Sequence, residues 1–243
     1  MILKCIGSGS KGNAYALIGE QDILLLECGM PLKEVKKAID YNILKINGCL
    51  LTHEHGDHSK YVRDYLKAGI PVFINDETQR TIKVSPGDRL SSRAEMKPFN
   101  VAHFEIIPFY VPHNGTACFA YLIKHPEMGK LLFATDLEYI PWSFKGHAIN
   151  HFLIECNYDE QFIDTNIPNY EHKIKGHCSL DTCLNIVRTN TTVALRNVIM
   201  CHLSASSDYS GYFIKRMREV AGFGVKVACA KPGLSMELAE SIF

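Results

Sequence analysis

The sequence lacks several features that would restrict the class of protein. No apolar run approaches the roughly 20 residues that a membrane-spanning helix needs, and the opening MILKCIGSGSKGN has no long apolar segment typical of a signal peptide. Lysine plus arginine and aspartate plus glutamate both number 26, so the formal net charge is zero. Bulk charge therefore does not favour polyanions. We expect no membrane partner, and any contact with nucleic acid must depend on local basic groups.

The nine cysteines include no Cys-x-x-Cys pair, the spacing common in redox and zinc motifs. An odd number of cysteines also leaves at least one thiol without a partner in the chain. Four of them lie in apolar, strand-like segments, where packing is the simplest role: Cys28, Cys49, Cys156 and Cys201. Free thiols in a core indicate a reducing compartment, so the cytoplasm is the expected location.

Hydrophobic residues make up 47% of the 243 residues, a share that allows a substantial core. No repeat, low-complexity tract or linker interrupts the chain, so we expect a single domain over residues 1–243. Strand-like segments dominate the first two thirds, and helix-like segments alternate with strands in the last third. This order predicts an α/β protein with buried strands, although periodicity alone does not give the layering.

Turn and capping residues suggest where the predicted elements begin. A helix begins after Pro31, where PLKEVKKAI places Leu32, Val35 and Ile39 on one face. A second helix is expected to begin after Ser59, acting as its N-cap. That helix should end at 67, and two more should cover 179–190 and 208–222. The predicted strands are 2–6, 14–18, 22–28, 48–52, 70–74, 103–111, 117–123, 130–135, 151–156, 197–203 and 225–230.

The most informative segment, HEHGDH, follows an apolar strand directly and spans His53 to His58. It places three imidazoles and two carboxylates within six positions, a spacing that is rare by chance. Imidazole nitrogens and carboxylate oxygens are ligands for zinc, manganese or iron. Gly56 gives the backbone freedom to turn alternate side chains towards one point. A histidine-rich surface loop is the alternative, and the buried strand in front of the segment disfavours it.

The pattern His53-x-His55-x-Asp57-His58 resembles the signature of the metallo-β-lactamase superfamily. The resemblance implies a four-layered αββα sandwich and two divalent metal ions, zinc or manganese, with iron as a third option. It also implies ligands at the ends of later strands. The implied ligands of the first metal are His53, His55 and His113, those of the second are Asp57, His58 and His202, and Asp136 bridges the two.

Further segments narrow the resemblance. SGSKGN, ECNYD, GHCSLDT and MCHLS occur in this order around the ligands and together resemble the WalJ/YycJ-type subgroup. That subgroup is associated with phosphodiester cleavage and with 5′-to-3′ DNA exonuclease activity. Glu27 is a departure, because the superfamily usually has an aspartate there that supports the histidine loop from behind the ligands. Glutamate is one methylene longer, so the supporting hydrogen bond must shift.

Roles for individual residues follow from this chemistry. Two metal ions that share a water lower its pKa towards neutrality, and Asp57 could then orient the nucleophile or accept a proton. His177 precedes a predicted helix and is a candidate to contact a phosphate or a leaving oxygen, the alternative being that it only orders its loop. Candidate substrate contacts are Ser10, Lys11, Asn13 and Ser179. A plain hairpin turn is the alternative for SGSKGN.

The predicted function is two-metal hydrolysis of phosphodiester bonds, with nucleic acid as the partner and DNA favoured over RNA. A 5′-to-3′ DNA exonuclease is its most specific form. A second hypothesis keeps the fold and the metals but hydrolyses a thioester, a lactone or another small ester. A third hypothesis, of another class, is a metal-free binding protein on this fold, which the complete ligand set disfavours. The sequence leaves the native metal and the oligomeric state open.

Overall fold

The computed structural model describes residues 1–82, 84, 89–162, 174–204 and 210–240. The described strands, in chain order, are β1 (Ile2–Gly7), β2 (Ala14–Ile18), β3 (Ile23–Leu26), β4 (Ile46–Leu50), β5 (Val72–Ile74), β6 (Leu90–Ser92), β7 (Phe99–Val101), β8 (Phe104–Val111), β9 (Cys118–His125), β10 (Gly129–Ala134), β11 (His151–Glu155), β12 (Asn197–Cys201), β13 (Lys226–Cys229) and β14 (Ser235–Glu237). The described α-helices are α1 (Leu32–Ala38), α2 (Gly56–Ser59), α3 (Val62–Lys67), α4 (Asp76–Ile82), α5 (Leu180–Asn190) and α6 (Ser210–Ala221). Short 3₁₀ turns cover Ile43–Lys45 and Lys145–His147.

These strands form two sheets of seven strands each. Their orders are β14-β1-β2-β3-β4-β5-β6 and β13-β12-β11-β10-β9-β8-β7. Each sheet is antiparallel on one side and parallel on the other: β3 to β6 run parallel in the first, and β10 to β13 in the second. Parallel neighbours need crossover connections, and helices supply several of them: α1 joins β3 to β4, and α5 joins β11 to β12.

Strand residues alternate between two cores, as a period of two requires. In β2, Tyr15 and Leu17 face the space between the sheets, whereas Ala14 and Ala16 pack with the helices outside the first sheet. β10 alternates in the same way, because Phe133 joins the core between the sheets and its neighbours join the core under α5 and α6. Helices thus cover the outer face of each sheet, and the predicted four-layered αββα sandwich is confirmed.

All eleven predicted strands are present, with ends that differ by a few residues. Three strands were not predicted, β6, β7 and β14. Each has three residues and stands at the edge of its sheet, where little apolar surface is needed. α4 was also missed. Its first turn is capped by Asn75, whose Oδ1 accepts a hydrogen bond from the Thr78 backbone N–H at 2.7 Å.

The prediction of one helix beginning after Ser59 is wrong. Ser59 is the last residue of the one-turn helix α2, and its hydroxyl donates to the Glu54 carbonyl at 2.6 Å. α3 begins only at Val62, after a break at Tyr61. The one-turn helix α2 arises because the backbone bends directly after His55, and this bend directs the side chains of the histidine motif inward. The C-terminal helix is present from Ser210, and positions 208–209 of its predicted span lie outside the described residues.

Strand ends bring the candidate ligands to one edge of the sandwich. The parallel strands β10, β11 and β12 end side by side, and so do β3 and β4. Residues just beyond three of these ends have left-handed backbone: Glu27 (φ 68°), Asp136 (φ 51°) and His202 (φ 52°). Non-glycine residues seldom adopt this conformation, and those that do concentrate at functional sites. The left-handed turns at these strand ends therefore help to position the side chains of the candidate site.

The cysteine side chains are all buried free thiols, as expected for packing residues. Cys28 and Cys49 lie against each other with their sulfurs 3.4 Å apart. Among the described residues, no helix combines the length and the hydropathy that a bilayer crossing requires.

Candidate metal centre

Two groups of potential ligands share one carboxylate. His53, His55, His113 and Asp136 form the first group, and Asp57, His58, Asp136 and His202 form the second. Within each group, the ligand atoms lie within 4.8 Å of one another. The structure thus brings together all seven residues that the sequence motifs and strand ends indicated.

The two oxygens of Asp136 face different histidine sets. Its Oδ1 lies 3.1 Å from His58 Nε2 and 3.5 Å from His202 Nε2. Its Oδ2 lies 3.9 Å from His53 Nε2 and 3.8 Å from His113 Nε2. A carboxylate placed in this way can give one oxygen to each of two metal ions.

The first histidine set is oriented from behind by neutral oxygens. His53 Nδ1 lies 2.9 Å from the Thr52 hydroxyl, and His113 Nδ1 lies 2.5 Å from the carbonyl oxygen of Gly176. Both rings therefore present Nε2 to the centre. His55 presents the other nitrogen, because its Nδ1 lies 3.1 Å from His113 Nε2. Such outer contacts fix ring orientation and tautomer in metal sites.

The second histidine set is backed by buried carboxylates. His202 Nδ1 lies 3.0 Å from Glu155 Oε1, and His58 Nδ1 lies 3.5 Å from Glu27 Oε1. Glu27 also accepts a long hydrogen bond from the Thr52 backbone N–H at 3.4 Å. Pairing with a carboxylate raises the basicity of a ligating imidazole. Neither His58 Nδ1 nor Glu27 Oε1 has a hydrogen-bond partner among the described residues, so the supporting role of Glu27 stays a prediction.

The chemistry of the centre suits a divalent ion. The buried His53 Nε2 has no hydrogen-bond partner among the described residues, although it points into the cluster. An unpaired buried nitrogen is costly unless something binds it. A metal ion would satisfy it together with the neighbouring nitrogens and the Asp136 oxygens. The donor set of imidazoles and carboxylates is one that zinc, manganese or iron accepts.

The opening turn and the end of β3 hold the histidine motif in place. The Asp57 carbonyl accepts from the Asn13 backbone N–H at 2.7 Å, and the His58 carbonyl accepts from the Cys28 N–H at 2.7 Å. A side chain at Gly29 would collide with the Asp57 carbonyl, so glycine is required for this close approach. Segments more than 25 residues apart in the chain thus set the backbone of the ligand loop.

Charge in the centre is balanced between imidazoles and carboxylates. Burial lowers the pKa of His53. Burial also opposes charge on His58 and His202, but carboxylates, Asp136 foremost, outweigh it and raise both pKa values, that of His202 to about 10. Burial would raise the pKa of Asp136, yet His202 and His58 hold it well below its usual range. Asp136 therefore stays ionised at neutral pH, as metal ligation requires.

The predicted substrate contacts divide into three kinds. Ser10 and Lys11 are exposed at the tip of the opening turn, where a ligand could reach them. Asn13 is fully buried, and its amide lies 3.0 Å from His58 Nε2 and 3.3 Å from Asp57 Oδ2, so it lines the centre itself. Ser179 caps α5, accepting from the Thr182 N–H at 3.2 Å. A direct contact of any of these residues with substrate stays a prediction.

His177 lies outside the two four-residue groups, although it forms a further group of potential ligands with Asp136, Glu155 and His202. Its ring stacks on His202 with centroids 5.2 Å apart and an interplanar angle of 16°. Its Nδ1 lies 2.7 Å from Glu155 Oε1 and 3.9 Å from Asp136 Oδ2. Desolvation would lower the pKa of His177, but Glu155 outweighs it and raises that pKa.

Glu155 is a residue of the centre that the sequence reasoning did not single out. It is fully buried and receives His177 and His202 on one oxygen. Its other oxygen accepts from the backbone N–H groups of Leu137 at 2.9 Å and Cys178 at 3.1 Å. The available signal was a carboxylate at the end of the apolar strand HFLIE, the same placement that identified Asp136.

A cavity of about 640 Å³ opens beside the first histidine set at His113. It is lined by aromatic and acidic side chains that include Tyr110, Trp142, Glu77, Glu95 and Glu138. Trp142 is 45% exposed, so its ring is available for stacking. The glutamates make this side of the centre unfavourable for a polyanion.

Comparison with known proteins places the chain in a family. The sequence model of the β-lactamase superfamily domain matches residues 25–226, which include every predicted metal ligand. The chain belongs to the β-lactamase superfamily. It is a metallo-β-lactamase-fold protein of the YycJ/WalJ type and a metal-dependent hydrolase, and its His and Asp clusters are candidate sites for divalent ions.

Individual relatives of this superfamily member match over most of their length. The chain is 28% identical to the exodeoxyribonuclease YycJ of Bacillus anthracis over 243 aligned positions, covering 90% of each chain. It is 24% identical to the exodeoxyribonuclease WalJ of Streptococcus pneumoniae, covering 84% of this chain and 81% of that one. The metallo-β-lactamase fold protein YhfI from Bacillus subtilis shares the fold with a TM-score of 0.75 and 19% identity, covering 97% and 99% of the two chains.

Proposed function

We propose that this hydrolase cleaves phosphodiester bonds with two metal ions and acts on DNA as a 5′-to-3′ exonuclease. The observation that carries the two-metal part is Asp136, whose two oxygens face two separate histidine sets. The nucleic-acid part is supported by the relatives named exodeoxyribonuclease, which align over most of this chain. The preference for DNA and the 5′-to-3′ direction are the most specific parts of the proposal.

The seven ligands would hold the ions as two triads around the shared Asp136. When bound, two divalent ions activate water and offset the negative charge of a phosphodiester. Asp57 differs from Asp136 in exposure, since its side chain is 23% exposed against 2%. Asp57 can therefore reach the substrate side of the centre, where its carboxylate would orient the attacking water and accept a proton.

His177 is the candidate for the leaving oxygen. Glu155 holds its Nδ1, so the ring can contact a substrate oxygen only through Nε2. The ring is 15% exposed, at the rim of the centre. A histidine held in this way can donate a hydrogen bond or a proton to the oxygen that departs.

A second candidate is hydrolysis of a small thioester, lactone or other ester in the same centre. The cavity beside His113 favours it, since Tyr110 and Trp142 suit an apolar group and three glutamates discourage a phosphate chain. For the first candidate, the opening turn is the more favourable side of approach for a DNA strand, because Lys11 is exposed there.

The two candidates are separated by one panel of substrates. Protein loaded with Mn²⁺ or Zn²⁺ is offered single- and double-stranded oligonucleotides labelled at the 5′ or the 3′ end, a matching RNA, a thioester and a lactone. We expect early release of the 5′ label with the 3′-labelled strand shortening progressively. Thioester turnover without any oligonucleotide cleavage would replace the first candidate by the second. Cleavage that begins at the 3′ end or inside the strand would overturn the polarity, and equal turnover of the RNA would overturn the preference for DNA.

Asp57→Ala supplies the matched inactive variant for this panel. Asp57 is a rim residue of the centre and not part of a hydrophobic core, so the variant should fold and retain a normal circular dichroism spectrum. We expect it to lose nearly all hydrolysis. Activity within about tenfold of the wild type, roughly 1.4 kcal/mol of barrier, would remove Asp57 from the catalytic set.

A further inference from the structure

The cavity beside His113 differs in chemistry from the metal centre that it adjoins. Its volume of about 640 Å³ lies within the range of roughly 300–1,000 Å³ that is usual for small-molecule sites. Two of its residues belong to the edge of the centre, since His113 is a candidate ligand and Thr116 Oγ1 lies 3.5 Å from His55 Nε2. The described residues of its wall include three glutamates and neither a lysine nor an arginine. The cavity therefore reaches the place of cleavage without suiting a phosphate.

The loop that carries Trp142 is anchored on both sides of this residue. Before it, the Glu138 backbone N–H donates to the carbonyl of Pro112 at 2.8 Å, directly in front of a ligand. After it, Phe144 is buried, and its ring centroid lies 4.9 Å from that of Phe109. The position of Trp142 beside the centre is thus set by the fold, although its ring is partly exposed. A ring placed in this way can stack on a flat ligand.

Tyr110 orients two of the three glutamates. Its hydroxyl donates to Glu77 Oε2 at 2.6 Å, and its backbone N–H donates to Glu95 Oε1 at 3.1 Å. The Tyr110 ring itself packs on Phe119, with centroids 4.6 Å apart. An ionised carboxylate only accepts hydrogen bonds, so it suits an amino group and offers nothing to a carbonyl oxygen. The wall of the cavity therefore combines an aromatic face with hydrogen-bond acceptors.

A nucleobase is the part of a nucleic-acid strand that fits these features. It is flat and uncharged, so it can stack on an aromatic side chain without the repulsion that the glutamates exert on a phosphate. Cytosine, adenine and guanine carry exocyclic amino groups, which carboxylates accept. Thymine has a carbonyl oxygen where cytosine has its amino group. The cavity should therefore discriminate against thymine.

We propose that the cavity beside His113 is a subsite for the nucleobase next to the scissile phosphate. Trp142 is the stacking platform, and Glu77, Glu95 and Glu138 accept the exocyclic amino group of cytosine, adenine or guanine. The proposal rests on the proposed cleavage of nucleic acid and adds a base preference to it. It also explains an acidic cavity beside a centre for phosphodiesters, because only the uncharged base enters it.

Trp142 reports directly on the cavity, because the sequence contains a single tryptophan. Zn²⁺-loaded wild-type protein is titrated with deoxycytidine and with thymidine, which contain no bond that the centre could cleave. N-acetyltryptophanamide titrated in parallel corrects for absorption by the nucleosides. We expect deoxycytidine to quench the fluorescence at about fivefold lower concentration than thymidine, the scale of one hydrogen bond. No quenching by either nucleoside would overturn the subsite, and equal quenching by both would overturn the base preference.

Trp142→Ala tests the stacking during turnover of oligonucleotides. The KM should rise about tenfold while kcat stays within about twofold, since stacking holds the base equally in the ground state and the transition state. Trp142→Phe should restore most of the affinity, because it keeps an aromatic face. The matched control is Tyr139→Ala, which removes an exposed aromatic ring of the same loop outside the cavity and should keep the wild-type KM.

Glu95→Gln tests the acceptors, because it removes the charge but keeps an oxygen for the Tyr110 N–H. The wild type should cleave oligo-dC with a higher kcat/KM than oligo-dT, and the ratio should fall in Glu95→Gln. Glu105→Gln, at an exposed glutamate outside the cavity, should leave it unchanged. Normal cleavage with an unaltered KM in Trp142→Ala would overturn the subsite and leave the proposed function. Thioester turnover by a wild type that cleaves no oligonucleotide would overturn the proposed function, and the subsite with it.

Discussion

At the scale of single residues, the hydrolytic centre depends on which nitrogen each histidine presents. Nδ1 of His113 lies against a carbonyl and Nδ1 of His202 against a carboxylate, and both rings therefore turn Nε2 inward. The same carboxylate, Glu155, also holds His177, so one buried side chain connects a metal ligand to the candidate for the leaving oxygen. A change at Glu155 would therefore disturb ligation and catalysis together.

His177→Ala separates a substrate role from a ligand role. Because Asp136 and the histidine sets are complete without His177, the variant should keep its metal content. Turnover of oligonucleotides should fall roughly a hundredfold, the scale of one lost acid–base or electrostatic partner. Metal analysis and steady-state kinetics on one preparation distinguish the two roles, with His147→Ala as a surface control. Joint loss of metal and activity would reassign His177 as a ligand, and full activity would make it a loop residue.

His151 predicts a pH dependence of stability at a place away from the candidate metal centre. Its Nε2 lies 2.8 Å from the Met128 carbonyl and its Nδ1 lies 3.1 Å from the Asn197 amide, an arrangement that suits the neutral ring. Burial accordingly lowers its pKa from 6.5 to about 4. At pH values between about 4 and 6.5, the unfolded chain binds a proton at His151 that the folded chain does not bind. The stability that His151 contributes is thus complete above pH 6.5 and is lost as the pH falls towards 4.

The expected loss is about 2 kcal/mol of unfolding free energy by pH 5. Urea unfolding of the wild type and of His151→Gln from pH 4.5 to 7.5 measures this loss. Subtracting the unfolding free energy of the variant from that of the wild type removes the titration of every group that both proteins share. The advantage of the wild type should shrink towards acid pH. A difference that stays constant with pH would show that His151 is not buried in its neutral form.

At the scale of elements, strand ends and helix starts place the functional side chains. The left-handed residues Glu27, Asp136 and His202 each follow a buried strand and turn a side chain into or behind the centre. α5 begins at a similar junction, because Ser179 caps it two residues after His177. The cap therefore also fixes the loop that carries His177.

Ser179→Ala tests whether that serine caps, contacts substrate or does both. Loss of the hydrogen bond to the Thr182 N–H should lower the unfolding free energy by about 1 kcal/mol, and Ser179→Thr should restore most of it. Ser143→Ala, at an exposed serine, should change nothing. If Ser179 only caps, the KM for oligonucleotides stays within about twofold. A clear rise in KM with little loss of stability would instead support the predicted substrate contact.

At the scale of the whole molecule, the first and last described strands lie side by side. β14 pairs with β1, and the Leu238 N–H donates to the Met1 carbonyl at 2.9 Å. The core between the sheets draws residues from both halves of the chain, such as Leu26 and Leu50 against Phe119 and Phe133. These contacts support the prediction of one domain over residues 1–243, which stays a prediction.

One domain implies one cooperative unfolding event. Calorimetry of the metal-loaded protein should give a single transition whose calorimetric and van't Hoff enthalpies agree. Near-ultraviolet and far-ultraviolet circular dichroism should report the same midpoint. Two separated transitions would divide the chain into independent units and contradict the prediction.

The sequence by itself determined the metal chemistry and most of the elements. The ligands of the histidine motif lie within six positions, so their spacing is visible without any fold. The buried strands were also visible, because strands covered on both faces need long apolar runs whatever their neighbours. Short edge strands such as β6 carry no such pattern, and the break in the helix after Ser59 depends on the inward turn of the ligand loop.

Only the tertiary structure decided which distant side chains meet. Glu155 looks like any carboxylate at a strand end until β11 is placed between β10 and β12, where it meets His177 and His202. Asp22 and His103 are 81 residues apart and belong to opposite sheets. Local sequence sets backbone preference and burial, but contacts across the sandwich arise from sheet pairing and packing, which couple residues without regard to their separation in the chain.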